Sequence, residues 1–130
     1  MNQATLALTL LRIVAAVLFF SHGAQKIFGW FGGMGPGGGT AGVLTLMGAA
    51  GVIEVVTATG IGLGLATRLL AFIASGEMAV AYFYQHVRSS HSLWWWENRG
   101  EVAILYCFLW LYFAAAGAGP ISLDRLRGKR

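Results

Sequence analysis

The sequence predicts an all-α membrane protein: one domain over residues 1–130, folded as an antiparallel four-helix transmembrane bundle. Three observations carry this. Hydrophobic residues make up 57% of the 130-residue chain and charged residues 11%. Soluble domains carry about 25% charged residues, so lipid is the expected solvent for this much apolar surface. Four apolar runs each approach the ~20 residues that cross ~30 Å of hydrocarbon. Lone ionisable residues interrupt these runs: Arg12, Glu54 and Glu77, with Glu101 at a mouth. Ionisable groups at bilayer depth are costly, so they face a protein interior and find partners there. Strict alternation of polar and apolar residues, which a membrane barrel needs, is missing.

The first segment runs from about Ala4 to Phe28. Met1 to Leu11 carry no Lys or Arg, so a cleaved leader is not expected and the segment reads as a retained helix. Gly29 to Gly42 contains GGMGPGGG, a glycine density that no helix survives, and Pro36 adds a stop. This reads as a flexible loop. It lacks the GK[ST] ending of a phosphate-binding loop. The second segment runs from Val43 to Leu65. Its small residues, Gly48, Ala50, Gly51, Ala58, Gly60, Gly62 and Gly64, suit close helix packing in lipid. A tight turn near Gly64 to Thr67 makes the third segment, Thr67 to His86, an antiparallel neighbour. The loop from Val87 to Arg99 holds Trp94, Trp95 and Trp96, residues that favour the headgroup zone. The fourth segment runs from Gly100 to Ala116.

Net charge is +4, with Arg125, Arg127, Lys129 and Arg130 just after the last apolar segment. That position marks a cytoplasmic flank and not a nucleic-acid surface. With both termini cytoplasmic, Arg68 joins this basic side, while Lys26, Arg88 and Arg99 fall on the other. Cys107 is the only cysteine, so no intramolecular disulfide and no CxxC pair can form.

The polar centre is where function is expected. Arg12, Phe19, His22 and Lys26 fall on one broad face of the first helix at ~100° per residue. Glu54 lies ~11 residues into its segment and Glu77 ~10 into its own, which puts both near mid-depth at 1.5 Å per residue. The expectation is one buried cluster of Arg12, Glu54 and Glu77, with His22 and Lys26 toward its outer end. Which carboxylate meets Arg12 stays open. Asn98 and Glu101 fit a capping arrangement on the fourth helix, with Asn98 as N-cap and Glu101 at the third position. Capping and function weigh equally for Glu101. His86 reads as an interfacial polar residue bonded to a loop. His22 and His86 have no spacing specific to haem or metal, so haem is disfavoured and no metal site is expected. No Ser-His-Asp, HExxH or Rossmann pattern is present.

The run LLRIVAAVLFFSHGAQKIFGWFGG resembles the opening signature of the DoxX family. Glu54 followed by GIGLGLATRLLA, then EMAVAYFYQH and WWWENRGEVAILYCFLWLYFAAAGAGPISLD, extend the resemblance over nearly the whole chain. It implies a small, multi-pass bacterial inner-membrane protein with four helices. The family is related to the small membrane subunit of a thiosulfate:quinone oxidoreductase, and some members are tied to thiol-redox or oxidative-stress complexes. Its recurrent polar positions map onto Arg12, His22, Gly23, Lys26, Glu54, Arg68, His86, Asn98, Gly100 and Glu101. Lacking a cysteine pair, this chain is not expected to do dithiol chemistry alone. The expected function is a membrane subunit of a redox system that binds a quinone-like molecule. The alternatives are a non-catalytic scaffold for soluble redox enzymes and a proton or small-solute conduit. Expected partners are the bilayer, a soluble redox enzyme and a second copy of the chain, not nucleic acid. No cofactor is firmly expected; quinone is the one the residues admit.

Overall fold

The computed structural model describes residues 1–128 of the chain, and the predicted basic positions Lys129 and Arg130 lie outside the described residues. Among the described residues every regular element is helical. α1 spans Gln3–Ile27 and opens on Asn2, whose side chain accepts from the Thr5 N–H at 2.8 Å. α2 spans Leu46–Leu63. It begins three residues after Val43, because the Thr45 hydroxyl accepts from the Gly48 N–H at 3.1 Å. It ends at Gly64, which turns left-handed at φ 70°, a conformation that favours glycine. α3 spans Thr67–Ala81 and continues as a π-helical segment, Tyr82–Val87, into α4, Arg88–Ser90. α5 (Trp95–Asn98), α6 (Glu101–Ala116) and α7 (Leu123–Leu126) complete the chain. The two short helices α5 and α7 were not foreseen. The glycine loop is a series of turns, tied back where the Ala41 N–H donates to the Lys26 carbonyl at 2.6 Å.

α1 packs most closely on α2 and α3 on α6, and α2 on α3 joins the two pairs. Both tight pairs run antiparallel. Gly23 meets Gly51 and Glu54, whereas Ala16 meets Gly62. Likewise Ser75 bonds Cys107, whereas Arg68 bonds Ala114. One end of the molecule therefore holds the N-terminus, the α2–α3 turn and the C-terminal segment, here called the terminal end. The opposite, loop end holds the glycine and tryptophan loops.

α1 and α2 are long and apolar enough to cross a membrane; α6 is as apolar but shorter. The distribution of side chains agrees with lipid outside. Small residues fill much of the core, among them Ala15, Ala58, Ala71 and Ala74, while Phe72, Leu105 and Phe108 are 64–66% exposed. Apolar surface this extensive on a small chain marks contact with lipid or partners. Trp94, Trp95 and Trp96 are also exposed, with Trp94 stacked on Trp96 at 4.9 Å.

Gly23 sets the α1–α2 distance. A Cβ there would sit 2.7 Å from the Gly51 carbonyl oxygen and 2.9 Å from Glu54 Cβ, so the helices would have to part. Gly23→Ala should therefore cost ~1–3 kcal/mol of stability through overpacking. A lower midpoint of reversible unfolding in mixed micelles would register it; an unchanged midpoint would show that the close approach is dispensable.

Candidate functional site

The predicted polar residues separate into three groups by depth, and this corrects the single cluster expected from sequence. Arg12 pairs with neither Glu54 nor Glu77; the carboxylate that interacts with it electrostatically is Asp124, at the terminal end. Its Nη1 donates to the Ala118 carbonyl and its Nη2 to the Ile121 carbonyl at 2.8 Å. The guanidinium, on a residue only 2% exposed, thus pins the segment after α6 against α1 at the terminal end. The cause is distance along the helix. Arg12 shares a face with Lys26 but lies ~21 Å from it at 1.5 Å per residue.

The rest of the terminal end follows the same economy of backbone groups. Asp124 accepts from the N–H groups of Ala66 and Thr67 at 2.8 and 2.9 Å, satisfying the start of α3. Arg68 donates to the carbonyls of Ala114, Ala115 and Ala116, satisfying the end of α6. A cavity of about 550 Å³ opens here, lined by Ala66, Thr67, Arg68, Gly117, Ala118 and Asp124 among others. It is remote from the carboxylates of the centre.

The loop end holds the second group. The Asn98 side chain donates to Tyr82 Oη and to the Ser92 carbonyl, both at 3.1 Å, and accepts from the Gly100 N–H at 2.8 Å. Tyr82 Oη in turn donates to the Leu93 carbonyl. His86 Nδ1–H donates to the Asn98 carbonyl at 3.1 Å. These bonds order the tryptophan loop, so Asn98 and His86 anchor backbone. The expected capping box is not formed. Gly100 is the N-cap of α6 without a side-chain bond, and Glu101 is the first residue of that helix and exposed. Asn98 cannot cap α6 because its amide is already committed to the loop. The π-helical segment Tyr82–Val87 sits at this network, and such segments commonly arise where side-chain placement overrides helix regularity.

The third group is the buried centre. Lys26 Nζ lies 2.7 Å from Glu54 Oε1 and 2.6 Å from Oε2. Glu54 is 1% exposed. Lys26 reaches it by extending inward from the last turn of α1. Glu77, on α3, brings a second carboxyl group close enough to the Glu54 carboxylate for the two to interact electrostatically. Lys26, Glu54 and Glu77 thus bring one amine and two carboxyl groups together in the bundle. The Lys26–Glu54 pairing matters because an uncompensated buried charge costs several kcal/mol. Glu77 Oε2 is buried and accepts no hydrogen bond from an N–H or O–H group.

Aromatic rings from α1 and α6 border this trio. Phe19 lies 5.0 Å from the Tyr106 ring and 5.3 Å from Trp110, and His22 lies edge-on to Tyr106 at 6.2 Å. Tyr106 and Trp110 are stacked at 5.8 Å. Sequence reasoning missed Tyr106, Trp110 and Asp124. The spacing of Tyr106 and Trp110, four apart on one helix face, was the available signal. For Asp124 it was the Ser-Leu-Asp start of a short helix.

Residues 7–87 match the DoxX family. An uncharacterized protein of Haemophilus influenzae (strain KW20 / Rd) is 46% identical over 118 residues, covering 90% of this chain and 87% of the relative. No solved structure matches the chain. A family match over more than half of the chain, set on helices with a lipid-facing apolar exterior, has a plain meaning: the chain belongs to the DoxX family and is a membrane protein of that type.

Proposed function

We propose that this protein is the membrane-embedded subunit of a bacterial redox system. In this reading α1, α2, the α3–α4 stretch and α6 all cross the inner membrane as an antiparallel bundle. Both termini are cytoplasmic, on the side of Arg68, Arg125 and Arg127. The central trio binds a quinone-like ring and exchanges a proton with one of its oxygens. The observation that carries this is Glu77 Oε2, a buried carboxyl oxygen that accepts no hydrogen bond, beside the Lys26–Glu54 pair. A buried polar atom left unsatisfied calls for an explanation, and a ligand hydroxyl donating to it, as in the reduced quinol form, supplies one. Aromatic walls beside a few convergent polar groups suit a flat apolar ring. Reducing a quinone consumes two electrons and two protons. The electrons would come from a soluble oxidoreductase partner, and this chain's share is binding and proton transfer.

The test is mass analysis of lipid extracts from protein purified in nanodiscs. Quinone near one per chain is expected for the wild type, falling at least fivefold in Glu77→Gln. Equal quinone in both, or none in either, would contradict the reading. A second reading, a scaffold for soluble redox enzymes, draws on the lone half-buried thiol, Cys107. Capture of a soluble oxidoreductase by quinone-free protein would favour it.

A further inference from the structure

We infer that the ring binds in the seam between α1 and α6, on its loop-side half, between Phe19 and His22 on one wall and Tyr106 and Trp110 on the other. This rests on the reading of the centre as a quinone-like site and adds where the ring lies and how it enters.

The seam differs from the other helix contacts. α1–α2 and α3–α6 close through tight backbone approach, whereas α1 and α6 meet chiefly through aromatic side chains. Rings can move aside for another ring where packed backbones cannot. The α3–α6 contact is further closed by Ser75, whose hydroxyl donates to the Cys107 carbonyl at 2.7 Å.

His22 marks an opening. It lies one turn from Phe19, which is 1% exposed, and next to buried Gly23, and its ring meets Tyr106 of α6; yet His22 is exposed. A bundle-facing side chain left open at this level gives a lipid-soluble molecule a way in. One turn deeper along α6, Trp110 is fully buried and its indole Nε1–H has no partner. A buried donor without an acceptor is destabilising. A carbonyl oxygen on the ligand would satisfy it. The orphan donor Trp110 Nε1 and the orphan oxygen Glu77 Oε2 suit a ring that carries oxygens.

The cavity at the terminal end also holds a buried polar atom without a hydrogen bond, Thr67 Oγ1, but no aromatic ring lines it. Asp124 there is spent on the N–H groups of α3, and Arg68 on the carbonyls of α6.

The experiment measures binding of decylubiquinone to the full chain in nanodiscs, together with photolabelling by an azidoquinone. His22→Trp, which plugs the opening, should weaken binding at least tenfold. Trp110→Phe, which keeps the ring and removes the N–H, should weaken it three- to tenfold. Phe108→Trp, on the exposed face of α6, should stay within twofold. In the unmutated protein, label should fall on residues 19–26 or 103–110. Because labelling needs no variant, a folding defect cannot mask the outcome. Label confined to residues 66–69 or 116–125 would overturn the seam. So would wild-type affinity in both His22→Trp and Trp110→Phe while Glu77→Gln loses binding; the central site would then stand without it. If the wild type binds no decylubiquinone, the central reading falls and the seam falls with it.

Discussion

Lys26→Met should destabilise the protein by ~3–5 kcal/mol, the cost of leaving a buried carboxylate without its partner. Glu54 has no alternative cation within bonding distance among the described residues, and its side chain is 2% exposed. Glu54→Gln should cost less. The Lys26 side chain is 19% exposed and stems from the last turn of α1, so its ammonium can swing toward the loop end and water. The asymmetry distinguishes a pair limited by burial of one partner from a symmetric salt bridge. Reversible unfolding of both variants in mixed micelles checks it. Equal losses, or a larger loss for Glu54→Gln, would mean that Lys26 is held as tightly as its partner.

Arg12→Ala should cost ~3 kcal/mol, from two hydrogen bonds made by a charged donor at about 1.5 kcal/mol or more each. The loss should appear locally. Without Arg12 the carbonyls of Ala118 and Ile121 lose their donor, and the segment leading to α7 loosens. Faster proteolysis within residues 117–128 is the expected readout. Arg12→Lys should rescue little, since a single ammonium cannot span both carbonyls as the guanidinium fork does. Quinone binding should stay within about twofold of wild type, because ~10 Å along α1 separates Arg12 from Phe19, the nearest wall of the ring site. A protease pattern identical to wild type would contradict the anchoring role.

These expectations show where sequence was legible. The helical course of the chain follows from apolar run length and from glycine and proline stops, both local properties. Helical phase correctly put Arg12, Phe19 and Lys26 on the inward face of α1. Depth misled, because the level at which Lys26 meets Glu54 depends on how α1 slides along α2. That register is set by Gly23 against Gly51 and Ala16 against Gly62, contacts between residues far apart in sequence. Arg12 was assigned a carboxylate on charge alone, when backbone carbonyls beyond α6 were the nearer acceptors. Asn98 misled in a similar way. Its position before a helix fits an N-cap, but Tyr82 and Ser92 claim its side chain. The tail after Ala116 was read only for its charge, so the Asp124 contact to the start of α3 was invisible. Tyr106 and Trp110 lie within a uniformly apolar helix, where no polar residue marks the inward face.

The central claim is that Lys26, Glu54 and Glu77 form the polar centre and Arg12 stands apart from it. Double-mutant cycles test this most directly, using Lys26→Met, Glu54→Gln and Arg12→Ala in the same unfolding assay. Lys26 and Glu54 should couple by at least ~1 kcal/mol, the double variant losing less than the two single losses added. Arg12 should add to either within ~0.5 kcal/mol, as distant independent sites do. Strict additivity between Lys26 and Glu54, or coupling of Arg12 to Glu54, would contradict the account.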